Sequence, residues 1–327
     1  MTWQNTAVMV VVRVVKNNLL NVNNFDNISI MDIEKWLKNN TKDLQGKVVV
    51  MTGAAGGLGS ITSRYLVQAN AKLIMLERDV AKMDAVSSQL RAEFPNAEIE
   101  TIRIDLNSLA SINEVAAQLV DQRIDYLILN AGVYDVPLVK SELGYNNVFT
   151  INFIGQYHLI RKLLPALQRT KGKVIPVSSI SMDYGRFNES DVDYSNEPKS
   201  TKVYGNSKRV FTLALSEMFK DRDDVRLAIV HPGVTLTPMT NAQNKAFTNF
   251  TMKLIFPKPT KAALSIVAGV FQDIEHDEWI GPKVKNIWGA PSVKKLPEST
   301  AEERAKIANL AESICKEIDD FENHKHD

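Results

Sequence analysis

The stretch Val48-Val49-Val50-Met51-Thr52-Gly53-Ala54-Ala55-Gly56-Gly57-Leu58-Gly59 decides how this chain is read. A short apolar, mostly β-branched run enters a glycine-rich turn, and a helical pattern, Leu58 to Asn70, begins inside that turn. A strand apolar on both faces belongs in the interior of a covered sheet. Glycines 53, 57 and 59 permit a tight turn and close backbone approach, while the helix start offers free amides and positive dipole. Such a strand–helix junction is where a dinucleotide's pyrophosphate is bound.

The alternation continues outward. Further strand candidates are Leu73 to Leu76, Ile99 to Ile104, Ile124 to Leu129, Val174 to Val177 and Val225 to Val230. Helical patterns lie between them at Ala81 to Phe94, Ser111 to Gln122, Tyr145 to Gln168 and Tyr204 to Lys220. The expected fold class is α/β: one doubly wound domain over residues 44–298, its parallel sheet of about seven strands carrying helices on both faces. Residues 1–43 read as an N-terminal arm and leading helix. Residues 299–327 read as a helix with the apolar stripe Ile307, Leu310, Ala311, Ile314 and Ile318, followed by a frayed tail from Phe321.

Composition narrows the classes. Among 327 residues, 39 Lys and Arg balance 38 Asp and Glu, so nothing general attracts nucleic acid or an anionic membrane. The single cysteine, Cys315, permits no internal disulfide and no cysteine-based zinc site. The apolar run Ala7 to Val15 is too short to span a bilayer. It also lacks the basic lead and cleavage site of a secretion signal. A cytoplasmic protein with no transmembrane segment is the expectation.

The second strand ends at Glu77-Arg78. A carboxylate there accepts from both ribose hydroxyls and repels a 2′-phosphate, which favours NAD, whereas the arginine pulls toward NADP. Asp105, ending the third strand ahead of Leu106, is placed either to meet adenine or to cap a turn.

Further motifs follow in order: Asn130-Ala131-Gly132 after the fourth strand, Asn152 in the long helix, Ser178-Ser179 after the fifth strand, Tyr204-Gly205-Asn206-Ser207-Lys208, and His231-Pro232-Gly233-Val234 with Thr237. With the spacing Thr-Gly-x-x-x-Gly-x-Gly they resemble the short-chain dehydrogenase/reductase family over about residues 44–290, in layout closest to its retinol-dehydrogenase-like and carbonyl-reductase members. The resemblance implies a Rossmann domain and NAD(P)-linked interconversion of an alcohol and a carbonyl compound. It also implies a proton-relay role for Asn152, cofactor contacts from Leu58, Leu106, Asn130, Ala131, Gly132, Pro232, Gly233, Val234 and Thr237, and a homodimer through the long helices.

The chemistry also follows from residue types. Tyr204 and Lys208 emerge on one helix face. A nearby cation lowers a phenol's pKa from about 10, and a drop of about three units needs roughly 4 kcal/mol, asked of Lys208 together with the positively charged nicotinamide ring of the oxidised cofactor. Tyr204 would then act as general base or acid, Ser179 would hold the substrate oxygen, and Lys208 would also bind the nicotinamide ribose. His231, just before Pro-Gly, reads as structural.

Ser179 and Tyr204 are 25 residues apart, farther than in compact family members, so Ser181 to Val203 contains an insertion. It either shapes the substrate entrance or forms an outer flap. The segment 238–261, with Phe247, Phe250, Met252, Leu254, Ile255 and Phe256, reads as a substrate loop. It is either a lid over a lipophilic substrate or an ordinary packing helix. A sugar epimerase or dehydratase and a non-catalytic NAD(P)-sensing protein are the competing readings. The glycine spacing and the complete set Asn152, Ser179, Tyr204 and Lys208 weigh against them.

Overall fold

The strands that the β-branched runs anticipate form one twisted parallel sheet. The structure is a computed structural model, and it describes residues 32–196, 199–235 and 257–324. The elements in chain order are α1 (Ile33–Asn40), β1 (Val48–Thr52), α2 (Gly57–Gln68), β2 (Lys72–Glu77), α3 (Val80–Glu93), β3 (Ile99–Arg103), α4 (Leu109–Leu119) and β4 (Tyr126–Leu129). A short turn of helix, Asn147–Phe149, then passes through a π-helical turn, Thr150–Ile154, into α5 (Gly155–Thr170). After it come β5 (Lys173–Pro176), a 3₁₀ turn (Ile180–Asp183), α6 (Ser200–Phe219), β6 (Arg226–Leu227), α7 (Pro259–Phe271), β7 (Glu278–Val284), β8 (Trp288–Lys295) and α8 (Ala301–Asn323).

The sheet order is β3-β2-β1-β4-β5-β6, and every pairing in it is parallel. Six strands therefore stand where about seven were expected. A parallel bridge from Val230 to Ile280 brings β7 to the seventh position, but β7 then turns back with β8 as an antiparallel hairpin. Side chains alternate across the sheet as the strand period requires. Val48, Val50, Ile74, Leu76, Leu127 and Leu129 face the core under α4, α5 and α6. Val49, Met51, Leu73, Met75 and Ile128 face the one under α2, α3 and α7.

The C-terminal helix departs most from expectation. No fray begins at Phe321, since α8 runs on to Asn323. Its last turn is held by Glu322, which accepts from Asn113 at 2.6 Å and Lys162 at 3.1 Å. Its stripe of Ile307, Ala311, Ile314 and Ile318 is buried in the core of α4, α5 and α6. Polar contacts tie it down along its length: Arg209 to Glu303, Tyr145 to Glu317 and Arg161 to Asp319. The outer face of the long helices, which the resemblance offers to a second subunit, thus carries α8. Among the described residues, no helix is long and apolar enough to cross a membrane, and no group of acidic, histidine and cysteine side chains could hold a metal ion.

Candidate active site

The site gathers at the C-terminal ends of β1, β4 and β5, where a parallel sheet opens between its crossover helices. At the end of β1, Gly53 has φ +64°, a left-handed conformation that glycine adopts without strain. A Cβ on Gly59 would come within 1.9 Å of the Gly53 carbonyl, so the start of α2 rides directly on the turn. Gly56 caps α2 without a side-chain bond, which leaves the first-turn amides at Gly57 and Leu58 facing outward. This cradle suits a phosphate-bearing group by the chemistry of its donors.

The Asn130-Ala131-Gly132 turn lies beside it. Asn130 Nδ2 donates to the Gly53 carbonyl at 2.9 Å, and the Ala131 N–H donates to Thr52 Oγ1 at 3.1 Å. Gln156 completes the brace, with Thr52 Oγ1 donating to its Oε1 at 3.1 Å and its Nε2 donating to the Ala131 carbonyl at 3.0 Å. Sequence reading missed Gln156. The available signal was its position one helical turn after Asn152, hence on the same helix face.

The remaining cofactor candidates are arranged along the same edge. Glu77 ends β2 and accepts from the Arg78 N–H at 2.9 Å, while the Arg78 side chain is exposed. Asp105 accepts from the Asn107 N–H at 2.9 Å, which is the turn-capping arrangement, and it stays half-buried beside Leu106. Pro232, Gly233 and Val234 follow β6 and are half-buried, whereas Thr237 and nearly all of the expected substrate loop, through residue 256, lie outside the described residues. His231 is fully buried, stacks on Trp279 at 4.0 Å, and accepts from the Gly233 N–H at 3.2 Å. Burial pushes its imidazole down to about 3, so it stays neutral, as a structural histidine would.

Tyr204, Lys208, Ser179 and Asn152 come together from three chain segments. Ser179 precedes the 3₁₀ turn and accepts from the Ser181 N–H at 3.1 Å. Its hydroxyl also acts on the Tyr204 phenol as a hydrogen-bond partner that favours ionisation. Lys208 Nζ is buried, donates to the Val177 carbonyl at 2.8 Å, and lies 6.0 Å from the Tyr204 ring centre. Asn152, on the π-helical turn, accepts from the Val133 N–H at 2.8 Å. It donates to the Val133 carbonyl and to Ser207 Oγ, each at 3.0 Å. A Cβ on Gly132 would lie 3.1 Å from Asn152 Oδ1 and 3.6 Å from Lys208 Nζ, so both polar atoms border the same space.

In the protein by itself, burial governs the electrostatics of the pair. Burial dominates and pushes the Tyr204 phenol up to about 12, against the weaker opposing effect of Ser179. Burial likewise pulls Lys208 down to about 8. In this state the site holds a protonated phenol beside a lysine close to its point of ionisation, an arrangement suited to donating a proton and replacing it.

A family model described as short chain dehydrogenase matches residues 47–247. Human retinol dehydrogenase 13 is 31% identical over 222 residues, covering 65% of this chain and 67% of the relative. The mouse protein of that name is 30% identical over 248 residues, covering 71% and 74%. A crystal structure of an uncharacterized protein from Mycobacterium paratuberculosis aligns with a TM-score of 0.67 at 26% identity, covering 85% of this chain and 96% of that one. The alcohol dehydrogenase of the archaeon Thermococcus sibiricus, complexed with 5-hydroxy-NADP, shares the fold at a TM-score of 0.52 and 20% identity, covering 66% and 87%. With the family match spanning β1 through β6, and relatives of this kind on both sequence and structure, the chain belongs to the short-chain dehydrogenase/reductase family and is retinol-dehydrogenase-like within it.

Proposed function

We propose that this protein is an NAD(P)-dependent oxidoreductase that interconverts an alcohol and a ketone or aldehyde by hydride transfer, with Tyr204 as general acid and base. The observation that carries the reading is the convergence of Ser179, Tyr204 and Lys208 at the open end of the sheet, beside an uncapped helix N-terminus. The amides of Gly57 and Leu58 would hold the cofactor pyrophosphate, Glu77 would accept from the adenosine ribose, and Lys208 would bind the nicotinamide ribose. The bound nicotinamide supplies or accepts the hydride.

The chain's own residues handle the oxygen and its proton. In the reducing direction, Tyr204 and Ser179 donate to the carbonyl oxygen, and the phenol releases its proton as negative charge develops there. The Lys208 ammonium, 6.0 Å from the Tyr204 ring centre, would help to stabilise the phenolate left behind and pass on a proton in turn. The side chain of Asn152 is committed to Val133 and Ser207, so its contribution is chiefly to fix the floor beside Lys208. NAD is favoured over NADP by Glu77. A lipophilic alcohol is the favoured substrate class, given the retinol dehydrogenase relatives and the apolar residues of the segment 238–261.

The test is nicotinamide absorbance during incubation with a panel of lipophilic aldehydes, ketones and alcohols, using NADH and NADPH in parallel. Turnover by the wild type that Tyr204→Phe removes, with cofactor binding retained, supports the reading. Equal turnover by the two proteins overturns the role of Tyr204, and tighter binding of NADPH than NADH overturns the cofactor preference.

A further inference from the structure

The tripeptide Val133-Tyr134-Asp135, just past the Asn130-Ala131-Gly132 turn, is fixed on both sides. Val133 is bound through its N–H and its carbonyl to the single amide of Asn152, at 2.8 and 3.0 Å. Asp135 accepts from the Ser200 hydroxyl in the first turn of α6, the helix that carries Tyr204. Its backbone is left-handed, with φ 53°, a conformation disfavoured for a residue with a Cβ. The contacts on either side, through Val133 and through Ser200, hold this turn in place.

Tyr134 lies between these two anchors and meets Tyr204 edge-on, with ring centres 5.1 Å apart and planes at 79°. That is a favourable aromatic geometry. Among the described residues the Tyr134 hydroxyl makes no hydrogen bond; its ring packs on Tyr204, and its hydroxyl, when ionised, adds a smaller charge effect that raises the Tyr204 phenol. The insertion between Ser179 and Tyr204 backs the arrangement. Tyr194 and Val203 form a small core with Val148, onto which Val133, Val136 and Leu138 pack. Asp193 accepts from the Asn146 N–H and from Ser195 Oγ, both at 2.6 Å, tying the insertion to the segment after β4.

We propose that Tyr134 is a positioning residue: its ring clamps the Tyr204 ring edge-on, so that the phenol hydroxyl keeps one direction and one degree of shielding from water. The insertion is then the buttress of that clamp rather than an outer flap. This rests on the reading of Tyr204 as acid and base. Burial sets the high phenol pKa, so loss of the neighbouring ring admits water and moves the titration downward.

Tyr134→Leu should lower kcat about three- to tenfold, leave the KM for cofactor unchanged, and shift the basic limb of the pH profile to lower pH. Tyr134→Phe, which keeps the ring, should match the wild type in kcat and move the basic limb less than Tyr134→Leu does, by the hydroxyl's charge effect alone. Tyr134→Met takes the place of Tyr134→Leu should a melting curve show that variant poorly folded. A wild-type kcat and pH profile in the ring-less variant overturns the proposal, and so does a loss in Tyr134→Phe equal to that in Tyr134→Leu. The Tyr204 phenol is also titrated by tyrosinate absorbance, as the difference between each protein and its Tyr204→Phe counterpart. A midpoint lower in Tyr134→Leu than in Tyr134→Phe supports the clamp, and equal midpoints in the two overturn it. This second readout decides the matter even if the wild type turns over none of the panel, a result that would count against the proposed activity alone.

Discussion

Two buried lysines flank strand β5, one at each end of the sheet, and their surroundings are opposite. Lys173, at the first residue of β5, fills its donor directions, reaching the Val270 carbonyl at 3.1 Å, the Gln272 carbonyl at 3.0 Å and Asp273 at 2.9 Å. Lys208, past the other end, donates to the Val177 carbonyl alone among the described hydrogen bonds and ion pairs. The rest of each edge agrees. Beside Lys173, Asp125 is bonded by Lys47, Arg123 and the Val48 N–H. Beside Lys208 stands a phenol that burial keeps protonated. One end of the sheet has spent its polar groups on structure. The other keeps a buried ammonium beside a protonated phenol, both shifted by burial, the kind of pair that marks a functional site.

The largest way to break this contrast is Tyr204→Phe, for which turnover should drop by about 10²–10⁴-fold while fluorescence titration still shows cofactor binding. Next comes Lys208→Met, expected to cut turnover by about two orders of magnitude. It should also raise stability at pH 7. The folded-state value near 8 lies below the ordinary 10.5, so the unfolded chain holds that proton more tightly. The burial cost is therefore full below pH 8 and fades as pH rises toward 10.5. Denaturant melts should show a gain of about 1–3 kcal/mol at neutral pH, shrinking toward pH 10. A loss of stability at pH 7 would mean that Lys208 is as structural as its counterpart.

Lys173→Met sharpens the other side. It leaves two carbonyls and Asp273 without their donor, so stability should fall by about 1–3 kcal/mol while kcat per folded molecule stays put. The smallest effect belongs to Glu77→Gln, which removes the charge that, on the proposed reading, would face a 2′-phosphate. The ratio of NADPH to NADH affinity should rise about five- to tenfold, equivalent to at most about 1.4 kcal/mol. No change in that ratio would take Glu77 out of the cofactor site.

Most of the sheet was legible because a strand buried on both faces has few sequences open to it. Val48 to Thr52 and Lys72 to Glu77 fall within a residue of their expected bounds. The sixth strand was drawn longer than the two ladder residues it has, since Val230 joins the sheet by a bridge alone. The β7–β8 hairpin and α7 were not anticipated; their course depends on packing against strands far earlier in the chain. Gln156 and Tyr134 were overlooked for a related reason. Each is a common residue whose role comes from what it meets across the fold, Ala131 and Thr52 in one case and the Tyr204 ring in the other.

Sequence alone determined what depends on neighbours along the chain: the order of strands and helices through β6, the glycine turn at the head of α2, and the shared helix face of Tyr204 and Lys208. Tertiary structure decided what depends on distant segments. It placed α8 over the long helices, gave Lys173 two carbonyls and a carboxylate as partners, and buried Tyr204 and Lys208 so that the phenol is pushed up and the ammonium down. Spacing can put a phenol and an ammonium on one face. Their protonation follows from how completely the rest of the molecule removes them from water.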